Sequence, residues 1–282
     1  MSAPPQVIRD PAAMTAYSER ARAAGQRVVF VPTMGALHAG HVALLHEGRR
    51  RGERLVLSIF VNPTQFGPSE DFAKYPRDLD GDLAQAATAG TDVAFVPEAP
   101  AVYPPGYQTF VQVRELERGL CGEHRPGHFV GVATVVCKLF NIVRPHVAVF
   151  GEKDFQQLAV VRRMATDLYL GVEVVGLPTV REPDGVAMSS RNRYLSPPDR
   201  LRATALIRAL RAAHAAAAAG ERRAAALVEL ARAVLEPQVD RVDYLELRDA
   251  ETLAPLDTLD RPGVMLTAVF VGGTRLIDNL RM

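Results

Sequence analysis

Residues 27–41 read RVVFVPTMGALHAGH, and this stretch indicates the fold class. Arg27 to Pro32 is a β-branched and aromatic run of the kind that forms a strand buried on both faces. A glycine-containing loop follows, and apolar residues at three- and four-residue spacing then predict a helix over Gly40–Arg51. In parallel sheets flanked by helices, ligands bind beyond the carboxyl ends of the strands. A polar motif that directly follows a strand is therefore a candidate site.

The same alternation of buried strand and amphipathic helix continues through the first two-thirds of the chain. It predicts an α/β fold, a Rossmann-like parallel sheet with flanking helices, plus a smaller α+β C-terminal domain. The further strands are predicted at Arg54–Val61, Thr91–Val96, Val147–Phe150 and Val172–Leu177. The further helices are predicted at Leu79–Ala89, Phe129–Ile142 and Phe155–Leu168.

A change of pattern near residue 180 indicates a domain boundary. Glu182-Pro183-Asp184-Gly185 is turn chemistry, and the chain beyond Pro197 becomes rich in alanine with interleaved arginine and glutamate. We expect domains at 1–179 and 180–282, with two helices separated at Gly220 in the second. A small, mostly antiparallel sheet should complete that domain, with strands at Val242–Leu247, Val264–Val271 and Thr274–Ile277.

Composition excludes several classes of protein. The 282 residues include 33 basic and 32 acidic side chains, so no chain-wide field exists for gripping nucleic acid. Cys121 and Cys137 form no disulfide framework, and Met1–Asp10 lacks the apolar core of a secretory signal. The most apolar stretch, Phe129–Val143, is interrupted by Lys138 and is too short to span a bilayer. We expect a cytoplasmic protein without membrane or nucleic-acid partners.

The loop after the first predicted strand is suited to binding phosphate. Gly35 and Gly40 allow the backbone to approach a ligand, and the helix start offers N–H groups and a positive dipole end. If protonated, His38 or His41 can offset the charge that builds on a triphosphate during displacement. Two alternatives remain open at this point, namely an ordinary polar surface and an H-x-x-H metal pair.

Two further motifs follow predicted strands. Asn62 and Gln65 offer amide groups that can read a hydroxyl or carboxylate, although Asn-Pro is also an ordinary turn signal. Gly151, Lys153 and Asp154 combine close backbone approach with a charge for phosphate and a carboxylate for a ribose hydroxyl or a metal ion. The alternative for this second motif is a helix start that simply carries favourable acidic residues.

The fourth motif, Ala187–Leu195, lies just past the expected boundary. Ser189, Ser190 and Arg191 can surround phosphate oxygens, and a loop that closes would exclude water from a hydrolysable intermediate. A basic interdomain linker is the alternative. If all four motifs act together, two imidazoles, a lysine and the Ser-Ser-Arg segment should surround a single triphosphate.

Taken together and in this order, the motifs resemble the pantothenate synthetase family. The resemblance runs through the first predicted domain and its hinge, and the part from Pro198 onward carries no comparably specific motif. The matching segments are Pro32–His41, Val61–Gly67, Tyr75–Arg77, Arg125–Phe129, Gly131, Thr134–Val136, Lys138–Leu139, Gly151–Gln157 and Pro178–Leu195.

The resemblance implies a site. His41 would be the proton donor, His38 would lie beside it on the phosphates, and Lys153 and Arg191 would complete the catalytic set. Gln65 and Gln157 would hold pantoate, and Gln65 would also serve β-alanine. The implied ATP-binding residues are Met34, Gly35, Ala36, Leu37, His38, Ala39, Gly40, His41, Gly151, Glu152, Lys153, Asp154, Val180, Met188, Ser189, Ser190 and Arg191.

The resemblance also implies a reaction. ATP would activate (R)-pantoate as a pantoyl adenylate, and the β-alanine amine would displace AMP to give pantothenate. Mg²⁺ and a homodimer are implied as well. The metal ligands stay open, with Asp82 and Asp154 as candidates. The alternatives are another adenylate-forming nucleotidyltransferase, a tRNA synthetase, and a non-catalytic module that senses nucleotide.

Overall fold

The computed structural model describes residues 4–68, 70 and 72–282. The first three residues of the segment Met1–Asp10 discussed above lie outside this range. Within the described part of the chain, no helix combines the length and the apolar character needed to cross a bilayer.

A six-stranded, fully parallel sheet forms the larger layer of the fold. Its strand order is β1-β4-β3-β2-β5-β6, and the predicted α/β class is confirmed. The five predicted strands are present, and β1 was not predicted. The strands are β1 (Gln6–Ile8), β2 (Val28–Thr33), β3 (Arg54–Ile59), β4 (Val93–Phe95), β5 (Val147–Gly151) and β6 (Glu173–Leu177).

The direction of winding reverses at strand β2. From β2 the chain adds β3 and β4 on one side, and then returns to place β5 and β6 on the other. The carboxyl ends of β2 and β5 therefore flank a topological switch point, which is where open parallel sheets bind ligands. Strand β2 lies inside the sheet, and its residues Val28 to Val31 are fully inaccessible to solvent. The loop that follows β2 therefore begins from a buried strand.

Ten α-helices are found among the described residues. The four helices predicted with bounds are confirmed to within two residues at either end, and two helices are separated near Gly220 as expected. Helices α1, α4, α5 and α8 were not predicted. The helices are α1 (Pro11–Ala23), α2 (Ala39–Arg51), α3 (Leu79–Thr88), α4 (Ala99–Val102), α5 (Leu120–His124), α6 (His128–Val143), α7 (Phe155–Asp167), α8 (Pro197–Ala203), α9 (Ala205–Ala218) and α10 (Ala224–Leu235).

A second, three-stranded antiparallel sheet is formed by β7 (Arg241–Asp249), β8 (Gly263–Val271) and β9 (Thr274–Arg281). Helices α9 and α10 pack on it through alanines and leucines, including the fully buried Leu210 and Leu227. The alanine-rich stretch is therefore a packed helix, because small side chains let it approach its neighbours closely.

Contacts divide the chain into two units. The first contains 1–117, 125–152 and 160–178, and the second contains 118–124, 153–159 and 179–282. The expected boundary between domains at 1–179 and 180–282 stays a prediction.

A buried ion pair holds the second unit together. Arg181 donates two hydrogen bonds to the carboxylate of Asp278, at 2.7 and 2.9 Å. The Asp278 side chain is only 2% exposed. Burial raises the pKa of Asp278, and the guanidinium of Arg181 opposes that increase. The carboxylate is therefore tolerated in the interior because Arg181 and the Asn279 N–H accompany it.

Replacing Arg181 by methionine should leave the buried carboxylate of Asp278 without its charged partner. We expect Arg181→Met to lower the free energy of unfolding by about 3–5 kcal/mol at neutral pH, since an unpaired buried charge remains. A raised pKa in the folded state favours the protonated form. The deficit relative to the wild type should therefore shrink as the pH falls through the folded pKa of Asp278.

Denaturant titrations of wild type and variant across this pH range test the prediction. The double variant Arg181→Met/Asp278→Asn serves as the control and should recover part of the loss at neutral pH. A deficit that is independent of pH would contradict the role given to the buried carboxylate.

Candidate active site

The loop between β2 and α2 has an unusual backbone. Gly35 and Ala36 both have positive φ, at 80° and 50°. The loop is turned by Thr33, whose hydroxyl donates to the Ser58 carbonyl at 2.7 Å and accepts from the Gly35 N–H at 3.2 Å. A left-handed alanine costs free energy, so other contacts must hold the loop in this form.

The buried carboxylate of Asp82 supplies those contacts. Its two oxygens accept the N–H groups of Ala36 at 2.9 Å and Leu37 at 2.6 Å. A Cβ atom on Gly35 would lie 2.8 Å from an oxygen of Asp82 and 3.0 Å from Ile59, so glycine is required there on steric grounds as well. Asp82, considered above as a metal ligand, is thus engaged in shaping the loop.

The two predicted histidines lie together at the start of helix α2. His38 is its N-cap, and its Nδ1 accepts from the Gly40 N–H at 3.1 Å. Because Nδ1 is the acceptor, the neutral ring carries its proton on Nε2. The ring of His41 stacks on that of His38 at 4.0 Å between centroids and 25° between planes. Two imidazoles therefore meet at a helix N-terminus, where anions are favoured.

A short 3₁₀ turn at Pro63–Gln65 follows strand β3, and the buried Asn62 caps it. The Asn62 amide nitrogen donates to Gln65 Oε1 at 3.0 Å. The Gln65 amide nitrogen in turn lies 3.3 Å from the sulfur of Met34. The structure thus brings Gln65 next to the β2–α2 loop, which places two predicted ligand-binding segments side by side.

Arg125 and His128 hold the same turn. No role was predicted for either residue, although both belong to the segment Arg125–Phe129 that resembles the family. His128 Nδ1 lies 2.9 Å from the carbonyl oxygen of Gln65, and an Arg125 nitrogen lies 3.3 Å from it. Arg125 also pairs with Glu70 at 2.6 and 2.7 Å. Burial raises the pKa of Glu70, but the bonds and charge of Arg125 outweigh burial and lower it overall.

Gly131 lets helix α6 approach this turn. A Cβ atom at Gly131 would lie 2.4 Å from the Thr64 carbonyl oxygen and 2.8 Å from Gln65 Cα. The Gly131 carbonyl also accepts from Asn62 at 3.1 Å. Helix and turn therefore meet backbone to backbone, and the position of Gln65 depends on the absence of a side chain at residue 131.

Gly131→Ala should displace the turn that carries Gln65. Since the added methyl meets backbone atoms, we expect a loss of about 1–3 kcal/mol in unfolding free energy. Gly67→Ala is the matched control, because the nearest atom of the described residues would lie 3.7 Å from its methyl group. Thermal and denaturant unfolding of both variants measure the effect. Equal stability of the two variants would contradict the close approach described here.

In the second unit, Lys153 and Asp154 lie in a 3₁₀ turn that leads into helix α7. The Lys153 carbonyl accepts from Asn279 at 2.9 Å, which ties the turn to strand β9. Burial lowers the pKa of Lys153. The negative charge of Asp154 raises this pKa, and the positive charge of Arg191 lowers it further. Lys153 therefore interacts electrostatically with Asp154, Arg191 and Asp278, whereas Asp154 itself is exposed.

The predicted nucleotide segment 188–191 follows a short hairpin. Met188 N–H donates to the Val180 carbonyl at 3.0 Å, so these two predicted ATP-site residues are neighbours. Ser189 then caps a 3₁₀ helix over Ser190–Tyr194, and its hydroxyl accepts the Arg191 N–H at 3.2 Å. The hairpin is also held by Arg200, which pairs with Glu182 and Asp184.

The predicted site residues therefore form two groups, one in each unit. Met34 to His41, Gln65, Gly151 and Glu152 belong to the first unit, and Gly151 ends strand β5 beside β2 at the switch point. The second unit contains the remainder: Lys153, Asp154, Gln157, Val180, Met188, Ser189, Ser190 and Arg191. Gln157 is partly buried, whereas the adjacent Gln156 is buried and bonds to the 118–121 turn. The roles of these residues stay predictions.

Comparison with known proteins identifies the family. The family model described as pantoate-beta-alanine ligase matches residues 6–281. The chain belongs to this family. A pantothenate synthetase from Syntrophotalea carbinolica is 57% identical over 274 residues, which cover 97% of each chain. One from Anaeromyxobacter dehalogenans is 56% identical and covers 99% of each chain.

Solved structures of the same ligase family have the same fold. The pantothenate synthetase from Thermus thermophilus is 47% identical, and the alignment covers 98% of each chain with a TM-score of 0.92. The pantoate-beta-alanine ligase from Francisella tularensis was solved with beta-gamma ATP and beta-alanine. It is 29% identical, with 98% of this chain and 97% of that chain covered and a TM-score of 0.82.

Proposed function

We propose that this chain condenses pantoate with β-alanine at the expense of ATP, giving pantothenate, AMP and pyrophosphate. The observation that carries the proposal is the family match over residues 6–281, which includes every predicted site segment. The Francisella relative, solved with an ATP compound and β-alanine, supports the choice of ligands. A carboxylate does not react with an amine in water without activation, and ATP supplies that activation.

The reaction proceeds in two displacements. A carboxylate oxygen of pantoate attacks the α-phosphorus of ATP, the bond to the bridging oxygen breaks, and pyrophosphate leaves. The product is pantoyl adenylate, a mixed anhydride. The β-alanine amine then attacks the acyl carbon, AMP leaves with the bonding electron pair, and the amine loses a proton. No enzyme nucleophile is required, so positioning and charge stabilisation account for the catalysis.

In this scheme the helix start at His38 and His41 binds the phosphates. The N–H groups and dipole of α2 favour the anion, and His41 donates a proton or hydrogen bond to the charge that develops on the departing pyrophosphate. Lys153, Ser190 and Arg191 supply further positive charge and donors to the phosphate oxygens. Gln65 and Gln157 hold pantoate through neutral amides, which read its oxygens without adding charge.

Mg²⁺ would accompany the nucleotide. Among the described residues, no three metal-binding side chains form a cluster, and the oxygens of Asp82 are bonded to backbone N–H groups. The chemistry of the chain fits a metal that is bound mainly by phosphates and water, as Mg²⁺ often is. The exposed Asp154 is the carboxylate that would contact it. The ion would neutralise charge on the leaving pyrophosphate.

Cytoplasmic location and a homodimer complete the proposal. The near-equal numbers of basic and acidic residues, and two cysteines that the structure leaves unpaired, support a reducing compartment. The dimer rests on the family resemblance. Size-exclusion chromatography with light scattering would test it directly.

A mass-spectrometric assay tests the function. Purified protein supplied with ATP, Mg²⁺, pantoate and β-alanine should form pantothenate with AMP and pyrophosphate in equal amounts. Omission of β-alanine should abolish pantothenate. ATP binding without product under all these conditions would instead indicate the nucleotide-sensing module, and AMP formation with other acids only would indicate another adenylate-forming enzyme.

His41→Ala and Lys153→Ala should each lower the rate of adenylation roughly a hundredfold or more, because each removes a donor that meets developing phosphate charge. Pyrophosphate release in a single turnover measures the effect, with circular dichroism to verify folding. His46→Ala is the matched control, since His46 lies exposed on the same helix α2, more than a turn beyond the loop. Near-normal release by both variants would rule out the assigned roles.

A further inference from the structure

The hydrogen bonds around Asn62 determine which end of its side-chain amide is the nitrogen and which is the oxygen. The Gly131 carbonyl can only accept, so the Asn62 amide nitrogen must face it at 3.1 Å. The Asn62 carbonyl oxygen then faces two hydroxyls, Tyr103 at 2.8 Å and Thr64 at 3.0 Å, and both donate to it. Asn62 is only 1% exposed. The orientation of its amide is therefore set by its partners rather than by solvent.

This orientation is passed on to Gln65. The second hydrogen of the Asn62 amide nitrogen is donated to Gln65 Oε1 at 3.0 Å. Gln65 Oε1, the oxygen of the side-chain amide, is thereby occupied. The NH₂ group of the same amide points the other way, toward the sulfur of Met34 at 3.3 Å. A thioether is a weak acceptor. A carboxylate or hydroxyl oxygen would be a better partner for this NH₂ group and would replace the sulfur.

Tyr103 is itself held firmly. The centroid of its ring lies 5.2 Å from that of the Tyr107 ring and 6.4 Å from that of the Phe60 ring. The ammonium of Lys138 lies over both tyrosines, at 4.2 Å from the Tyr107 ring and 5.5 Å from the Tyr103 ring. Burial raises the pKa of Tyr103 to about 12. Its hydroxyl therefore keeps its proton in the physiological range and can donate to Asn62.

We propose that Tyr103 is a positioning residue that acts through Asn62 to fix the amide of Gln65, so that Gln65 offers N–H donors to an oxygen of the acid substrate. The inference rests on the role proposed above for Gln65. The fixed amide also affects substrate specificity. The Gln65 NH₂ group favours a carboxylate or hydroxyl oxygen of the substrate and disfavours a group that can only donate a hydrogen bond. Without the Tyr103 hydroxyl, Asn62 keeps its bonds to Gly131 and Thr64 but loses the shortest contact to its carbonyl oxygen. Its side chain, and with it the Gln65 amide, is then held less rigidly.

Tyr103→Phe tests the proposal, because it removes one hydroxyl and keeps the ring. We expect KM for pantoate to rise about tenfold, the cost of one buried hydrogen bond. KM for ATP should stay close to that of the wild type, and the thermal midpoint should fall by no more than about 4 °C, the shift expected for loss of one hydrogen bond in a chain of this size. Tyr107→Phe is the matched control, since it removes a hydroxyl from the neighbouring ring, and its KM for pantoate should be unchanged. An unchanged KM for pantoate in Tyr103→Phe would overturn the proposal.

A double-mutant cycle separates positioning from packing. Gln65→Met keeps the shape of the side chain but removes its amide, and it should raise KM for pantoate by itself. If Tyr103 acts through Gln65, adding Tyr103→Phe to Gln65→Met should produce no further increase. Multiplying effects would show that Tyr103 acts by another route and would overturn the proposal.

Different outcomes would contradict the proposed function, the role of Gln65 and the positioning role of Tyr103. A wild-type protein that forms no pantothenate would refute the proposed function. Product formation with an unchanged KM in Gln65→Met would refute the role of Gln65, and the role of Tyr103 with it. The positioning role alone would be refuted if Gln65→Met raises KM for pantoate but Tyr103→Phe leaves it unchanged. It would equally be refuted if the two substitutions raise KM for pantoate independently, so that their effects multiply in the double variant.

Discussion

The two hydrogen bonds from the Ala36 and Leu37 N–H groups to the Asp82 carboxylate determine the shape of the first unit's candidate site. They keep the loop after β2 in a conformation that alanine does not favour. Because the loop ends there, His38 is able to cap helix α2 and His41 comes to lie against it. A buried carboxylate thus sets the position of a helix start, and the helix start provides the positive end suited to phosphate.

Asn62 does for the neighbouring loop what Asp82 does for the first. Each side chain is buried, each bonds to more than one partner within the protein, and each lies close to a carboxyl end of the sheet. A fully satisfied buried polar group gives a loop one preferred conformation, whereas an incompletely satisfied one is costly. The segments that carry His38, His41 and Gln65 are therefore shaped by hydrogen bonds within the protein.

Much of this architecture could be predicted from the sequence. The buried runs and helical spacing identified five of the six parallel strands and all three antiparallel ones, because burial on both faces produces a continuous apolar run. Strand β1 was not predicted because it has only three residues and prolines lie close to both of its ends. Helix α1 was not predicted although Asp10 and Pro11 are ordinary start signals. The local sequence around α1 has little apolar periodicity, so its face toward the core was hard to recognise.

The site was predicted as a set of segments, and its geometry was not. The segment around Gly35 indicated a tight loop, yet the partner that shapes it, Asp82, is more than forty residues away and had been considered for a metal. Similarly, Arg125 and His128 reach the Gln65 carbonyl from about sixty residues along the chain. Such contacts depend on which loops the sheet order brings together, and a single sequence does not contain that information in local form.

The stacked imidazoles of His38 and His41 have a spectroscopic consequence. With ring centroids 4.0 Å apart and planes inclined by 25°, each ring lies in the magnetic shielding zone of the other. The ring-proton resonances of both histidines therefore depend on their mutual orientation, and any movement of one ring displaces the signals of both. The pair is a built-in NMR reporter, readable on the unmodified protein, of whatever occupies the start of helix α2.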